Sequence, residues 1–410
     1  MVEILRPASA EETRQAVAWA AAEGKPLEIV GAGTKRAFGH AVAAEHHLEL
    51  AALSGIIAYE PAELVLTAHA ATPLCEIEAA LARSRQQLAF EPPDLGPLLG
   101  AAAESATLGG VLAANLSGPR RILAGAARDH ALGLAMVSGR GELVKAGGKV
   151  VKNVTGYDVT KLMCGSWGTL GVMTELSVKV LPAPERTRTV LVAGLDADAA
   201  AACMGRALSS PNEVSGAAFL PAALAARSAV SYVAGAGASI TALRIEGPPI
   251  SVGARNAALR GLCGGLGEVE ELHSHNSAAF WRELRDAAPV AADAGAVWRL
   301  SVPPAAGAGV LAALAATGGE GWLDWGGGLI WWSCPATLPA SSIVRVAAEA
   351  AGGHATLVRA DDALKREVAV FHPQPAGRAA LSRRVREGFD PKGILNPGRM
   401  GWPGLMGQQT

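Results

Sequence analysis

Charge of either sign is in short supply and evenly matched: 36 Lys and Arg face 37 Asp and Glu over 410 residues, a formal net charge of −1. No basic run with interleaved aromatics occurs, so the chain offers nucleic acid no electrostatic footprint. Cysteine is scarce as well. Cys75, Cys164, Cys203, Cys263 and Cys334 are far apart and form no CxxC pair. That spacing argues against a disulfide scaffold, a zinc site or an iron–sulfur centre within the chain, and buried free thiols are expected. Long apolar runs are missing too: half the residues are hydrophobic, yet charge, Gly or Pro breaks every alanine-rich stretch. A spanning helix needs about 18 consecutive apolar residues, so no transmembrane segment is expected. The opening MVEILRPASAEE carries acids where a signal peptide needs a basic and then an apolar region. The chain reads as cytoplasmic, any membrane contact being peripheral and through partners.

What is present is a sequence of short elements punctuated by glycine. Ser9 and Glu12 form a capping box ahead of Ala16, Val17 and Trp19, and Gly24 stops that helix. A strand at Leu27–Val30 runs into Gly31-Ala32-Gly33-Thr34-Lys35. Residues 64–70 alternate as a strand, and Thr72-Pro73 starts a helix with Leu74, Ile77 and Leu81 on one face. Residues 92–118 are loop with short helical turns. A hairpin over 132–146, a short helix at 158–164 and a long strand at 170–181 follow. Pro182 and Pro184 mark a boundary. Beyond it, strands and helices alternate around an antiparallel sheet with helices on one face, and the glycines at 326–328 sit in a hairpin of residues 322–332. A helix near 376–388 leads to the tail FDPKGILNPGRM. The predicted organisation is α+β: residues 1–184, an α+β domain over 185–360, and a C-terminal helix and tail over 361–410.

Three glycine-rich stretches carry the chemistry. In Gly31–Lys35, small residues let backbone N–H groups converge on an anion, with a hydroxyl and a lysine alongside. The spacing is neither the Rossmann fingerprint, since Arg36 occupies the third glycine position, nor a P-loop. Alone, such a stretch is a tight turn. Ser105-Ala106-Thr107-Leu108-Gly109-Gly110, with Asn115, Gly118 and Arg120 downstream, again permits close backbone approach to a phosphate or a flat ring. Lys152-Asn153-Val154-Thr155-Gly156-Tyr157-Asp158, followed by Gly165-Ser166-Trp167-Gly168-Thr169-Leu170-Gly171-Val172, concentrates more glycines and hydroxyls than packing needs. A ligand lying against the backbone explains them.

These motifs, in this order, resemble the FAD-binding domain of the vanillyl-alcohol oxidase, or PCMH, type. Within it they look most like the branch containing bacterial glycolate oxidase E subunits and the FAD-linked D-lactate and D-2-hydroxyglutarate dehydrogenases. The resemblance runs over residues 25–184 and returns at the tail. It implies a two-subdomain FAD-binding domain, an α+β cap domain with an antiparallel sheet, and a C-terminal segment returning to the flavin. By resemblance, Gly31, Ala32, Gly33, Thr34 and Lys35 wrap the pyrophosphate, and Pro93, Asp94, Thr107, Gly109, Gly110 and Asn115 line the pyrophosphate and ring. Gly168, Gly171 and Val172 meet the adenine side, and Asn396 lies near the isoalloxazine. His40 and His130 stand at no linking position, so FAD is expected to be non-covalent.

Oxidising a 2-hydroxy acid needs a cation for the carboxylate and a base or metal for the hydroxyl proton. The dehydrogenase relatives' metal-binding motif HxxGDGN is absent; Gly352-Gly353-His354-Ala355-Thr356 lacks the acid and the asparagine. His273 and His275 alternate on one face of a possible strand without a third ligand, so no metal is expected. Arg285, in Trp281-Arg282-Glu283-Leu284-Arg285, resembles the relatives' carboxylate-binding helix arginine. Arg299 lies in a strand that is basic in relatives, and His372 is a candidate base. Arginine suits a carboxylate through two parallel hydrogen bonds. Two readings follow: the chain oxidises a short 2-hydroxy acid such as glycolate, or it is a non-catalytic or electron-relay flavin subunit. The resemblance implies partners in either case, a catalytic FAD subunit and an iron–sulfur subunit. The tryptophans at 322, 325, 331 and 332 are an interface or a cap-domain core.

Overall fold

The computed structural model describes residues 3–148 and 156–401. Two compact units emerge. One comprises residues 1–116, 126–183 and 373–410, and the other residues 117–125 and 184–372. Lys152–Thr155 of the third motif lie outside the described residues.

The first unit holds two main sheets and a two-stranded pair, Gln86–Gln87 with Leu181–Pro182. Three parallel strands stand in the order Glu3–Leu5, His46–Glu49, Leu27–Val30. Against them lies helix Ala10–Glu23, whose first turn Ser9 caps by accepting from Glu12 N at 3.1 Å. The Glu12 carboxylate accepts from Ala8 N at 2.8 Å, one residue before the reciprocal bond of a standard box. Gly24 ends the helix at φ 64°, as its position in sequence implies. Val17, Ala20, Leu27 and Leu48 form the core beneath, joined by Val137 and Val172 of the second sheet. That second sheet is antiparallel, in the order Ile56–Glu60, Val65–His69, Gly171–Lys179, Ala131–Ser138, Leu143–Gly147. Helix Leu74–Arg83 buries Leu74, Ile77 and Leu81 and leaves Cys75 on its outer side. Not all the thiols are buried, then: Cys75 is exposed and Cys164 is half-exposed.

The second unit is one eight-stranded antiparallel sheet built from two similar halves. In spatial order its strands are Glu268–His273, Arg186–Ala193, Ile240–Gly247, Gly216–Leu220, Glu320–Asp324, Leu329–Cys334, Ala296–Ser301 and His354–Arg359. Each half runs strand–helix–strand–strand–helix–strand, with its fourth strand beside its first and its third between first and second. The halves meet edge to edge through their second strands, at the single register pair Phe219 and Leu323. Helices Ala197–Leu208, Pro249–Cys263, Gly307–Leu314 and Leu338–Ala350 cover one face, over Val190, Leu243, Trp298, Ile330 and Leu357. Helix Ser274–Arg285 is not on that face. Trp281 Nε1 donates to Thr189 Oγ1 at 2.8 Å, and Thr189 points opposite to the core residues Val190 and Val192. His273 closes a strand and caps that helix, and His275 is already in its first turn, so the two histidines share no strand face. Trp322, Trp325, Trp331 and Trp332 are all buried, and of the four Trp332 belongs to the helix-covered core. No helix among the described residues is long and apolar enough to cross a membrane.

Residues 117–125 depart from their sequence neighbours to join the second unit. Arg120 closes a two-pronged bond on Glu246, at 2.8 and 2.9 Å, and Trp325 Nε1 donates to Gly118 O at 3.1 Å. Burial pushes the Glu246 carboxyl up, but Arg244 and Arg120 outweigh it and hold the group well below the ordinary carboxylate range. Stability from this contact is therefore complete above a pH of about 4.3 and is lost as pH falls below it. Arg120→Ala is expected to cost the second unit about 3 kcal/mol in urea unfolding followed by tryptophan emission, and to flatten its loss of stability in acid.

Candidate functional site

A cleft opens in the first unit where three stretches of the chain converge. Its floor is the end of strand Leu27–Val30 and the turn Gly31–Lys35. Facing it, Thr107 starts helix Leu108–Ala114 by accepting from Gly110 N at 3.2 Å. A Cβ on Gly31 would stand 3.1 Å from Thr107 Oγ1, so glycine lets the two loops approach. Gly109 N donates to Ala70 O at 2.7 Å, and a Cβ there would sit 2.7 Å from the same oxygen.

The third wall comes from the far end of the chain. Leu27 N donates to Ile394 O at 2.8 Å and Asn396 N to Leu27 O at 3.0 Å, so the tail lies beside the strand as an added parallel segment. The Asn396 carboxamide then spans two loops. Its Oδ1 accepts from Ile29 N at 2.7 Å, and its Nδ2 donates to Trp167 O at 2.8 Å. Beneath it, buried Glu28 receives Arg36, Arg399 at 3.1 Å and His47 at 3.2 Å. Arg399 also donates to the carbonyls of Arg36 and Phe38 at 2.8 and 3.0 Å. The tail thereby fixes the backbone on either side of the Gly31–Lys35 turn.

The cleft brings together Gly31, Ala32, Gly33, Thr34, Lys35, Thr107, Gly109, Gly110, Gly168, Gly171 and Asn396 from the sequence candidates. Burial pulls the Lys35 ammonium down to about 8, against the opposing charge of Asp94. Pro93, Asp94, Asn115 and Val172 are outside the lining. Asp94 accepts from Gly96 N and Glu104 N and so shapes its own loop. Asn115 accepts from Arg128 N and ends the helix, and Val172 is in the core. Sequence reasoning missed Arg36, Trp167, Met173 and Arg399, which do line the cleft. Arg399 was within reach, since it belongs to the tail motif already singled out.

In the second unit the three catalytic candidates lie apart. Arg285 donates twice to adjacent Asp286, both at 2.8 Å, which occupies its fork. His372 Nδ1 accepts from Arg345, at 3.2 Å, and from Ala355 N, leaving Nε2 3.7 Å from Glu349. Arg345 stacks on Trp298, the strand neighbour of Arg299, so His372 and Arg299 attend opposite faces of the sheet. The Arg299 guanidinium lies 4.9 Å from the Trp325 ring centroid; burial and nearby Arg121 pull its pKa down to about 10, with Asp324 opposing. Arg120, read with the phosphate loops, is closed on Glu246 instead.

The FAD binding domain family matches residues 3–147. Glycolate oxidase subunit GlcE of Escherichia coli (strain K12) is 36% identical over 391 residues, 95% of either chain. Glycolate oxidase subunit GlcD of Bacillus subtilis (strain 168) is 41% identical over 112 residues, 27% of this chain and 23% of that one. Among solved structures, the 4-ethylphenol oxidase of Gulosibacter chungangensis superposes with a TM-score of 0.72 at 16% identity, over 98% of this chain and 89% of its own. That last likeness is one of fold. The glycine cradle and the buried lysine fit a diphosphate and a flat ring, and the cofactor is FAD.

Asn396→Ala leaves Ile29 N–H and Trp167 C=O without the carboxamide that now pairs both, a loss of about 1–3 kcal/mol. The expected outcome is a lower thermal midpoint and less FAD retained through gel filtration, read from the flavin-to-protein absorbance ratio.

Proposed function

The chain belongs to the family of glycolate oxidase subunit GlcE, and on that premise we propose that it is the FAD-binding subunit of a glycolate-oxidising complex, taking part in flavin-linked oxidation of a short 2-hydroxy acid to the 2-oxo acid. The observation that carries this reading is the cleft walled by Gly31–Lys35, Thr107–Gly110 and the Asn396 tail. When bound, FAD supplies the acceptor for the hydride equivalent lost by the hydroxyl-bearing carbon.

The chain's own residues bind and orient. Backbone amides of Gly31–Thr34 and the Lys35 ammonium hold the diphosphate, with Thr107, Gly109 and Gly110 opposite. Gly168 and Gly171, with the backbone of Val172 behind them, border the adenine side. Pro93, Asp94 and Asn115 act at one remove, by shaping loops and, for Asp94, by sustaining the charge on Lys35. Arg299 holds the substrate carboxylate through its fork. Arg285 and His372 have no part in this assignment, since both are engaged with their own neighbours.

The relative's name, a subunit, supports assembly into a multi-subunit complex. The partners we assign are a catalytic FAD subunit and an iron–sulfur subunit, because widely separated cysteines give this chain no cluster ligands. The position of His372 favours a second reading, in which the chain relays electrons or supports assembly without turning over substrate. Anaerobic glycolate added to the purified yellow protein separates the two: bleaching at a catalytic rate supports turnover by this chain, and an inert flavin supports the relay. A protein that takes up no FAD overturns both.

Lys35 gives the cofactor reading a pH signature. Its depressed value means the empty cleft holds a charged lysine only below about pH 8. A bound diphosphate favours the charged form and raises that value. FAD affinity should therefore be full below pH 8 and fall as pH rises through it, by at most about tenfold per pH unit. Lys35→Gln should bind FAD more weakly at neutral pH and show no such slope, measured by flavin fluorescence titration.

A further inference from the structure

Two cysteines meet inside the second unit. Cys203 stands midway along helix Ala197–Leu208, and Cys263 is the last residue of helix Pro249–Cys263. Their sulfurs lie 3.8 Å apart, in van der Waals contact, and both side chains are fully buried in the helix-covered core. The other thiols are placed differently. Cys75 is exposed on its helix, Cys164 Sγ donates to Thr160 O at 3.4 Å, and Cys334 is buried on strand Leu329–Cys334.

A buried free cysteine ordinarily packs as a small apolar residue. Three features set this pair apart. The contact joins two helices distant in sequence, so a bond across it closes the chain from 203 to 263. The Cys263 end is built from glycine: Gly264 N donates to Gly261 O at 3.2 Å, Gly265 turns the chain at φ 81°, and residues 264–267 are all exposed. The hydrogen bond between the thiols also pulls Cys203 below its ordinary range, with burial opposing and the Arg206 guanidinium assisting. That favours the thiolate, the nucleophile of thiol oxidation. A disulfide holds its sulfurs about 2.05 Å apart, so the pair must close by about 1.8 Å, a movement shared between two thiol rotamers and the glycine-flanked helix end.

We propose that Cys203 and Cys263 are a reversible disulfide site closed by a peroxide. Cys203 Sγ, as thiolate, attacks one peroxide oxygen; the O–O bond breaks, and the departing hydroxide takes the thiol proton as water. Cys263 Sγ then attacks the resulting sulfenic acid. The S–S bond forms, the S–O bond breaks, and hydroxide leaves as water with the Cys263 proton. Two thiols lose two electrons and one peroxide becomes two waters. Peroxide enters as the exposed turn 264–267 opens the end of its helix, a local event that leaves the rest of the fold intact.

The test uses the full chain with FAD bound, carrying Cys75→Ser so that this exposed thiol cannot bridge two molecules. After hydrogen peroxide and its removal by catalase, the protein is unfolded in guanidinium and its thiols are counted. Four should become two, with an intact mass lower by two hydrogens and a cross-linked 203–263 peptide on digestion. Dithiothreitol should restore all four. The oxidised protein should melt about 5 °C higher than the reduced one, because the bond removes freedom from the unfolded chain. Cys203→Ala and Cys263→Ala should each abolish both the cross-link and the rise. The site is overturned if four thiols survive peroxide, or if the lost thiols gain oxygen as sulfinic or sulfonic acids without a cross-link. A cross-link between other cysteines, or a midpoint that does not rise on oxidation, overturns it as well.

Discussion

One carboxamide holds the cofactor cleft together. Asn396 pairs with Ile29, 367 residues earlier, and with Trp167, 229 residues earlier. Phe38, just beyond the glycine turn, meets the Trp167 ring edge-on at 4.6 Å. Around that amide the tail is braced by buried charge. Asp390 accepts from Ile394 N and Leu395 N, and Glu28 collects Arg36 and Arg399. Burial raises Asp390, and only its backbone donors and Arg386 restrain it. These groups sit in low dielectric, where a satisfied network is firm and a half-satisfied one is costly.

Much of this was legible in residue order. The glycine motifs, the capping box at Ser9 and the apolar stripe of helix Leu74–Arg83 are local signals, and local chemistry decides them. The tail motif was legible as something that returns to the first unit, though not how. Asn396 looked like a residue facing the flavin, while both ends of its amide are spent on backbone. Helix Leu338–Ala350 went unread because alanine and serine dilute its apolar period, although Thr337 caps it. The excursion 117–125 was invisible for a different reason. Nothing in Ser117-Gly118-Pro119-Arg120 says which body it joins, and its choice is made by Glu246 and Trp325 far along the chain.

The second unit solves a separate problem. Two strand–helix–strand–strand–helix–strand halves, each with a sheet too small to close a large core alone, meet at their second strands and share one helix-covered face. Trp322 and Trp331 stack at 5.9 Å on the opposite face, near that seam. Both faces carry an arginine on a tryptophan ring, Arg345 on Trp298 beneath the helices and Arg121 and Arg299 on Trp325.

The returning tail also sets the order in which the molecule can be completed during synthesis. Chains emerge N-terminus first, and domains ordinarily close in that order. Here the first unit lacks a wall until residues 373–401 have emerged, whereas residues 117–125 and 184–372 already contain everything the second unit needs. The unit that holds residues 3–116 is therefore finished after the one that follows it. Through that interval its glycine turn lacks the support of Asn396 and Arg399, and the cleft that takes FAD is complete only once translation has passed residue 399.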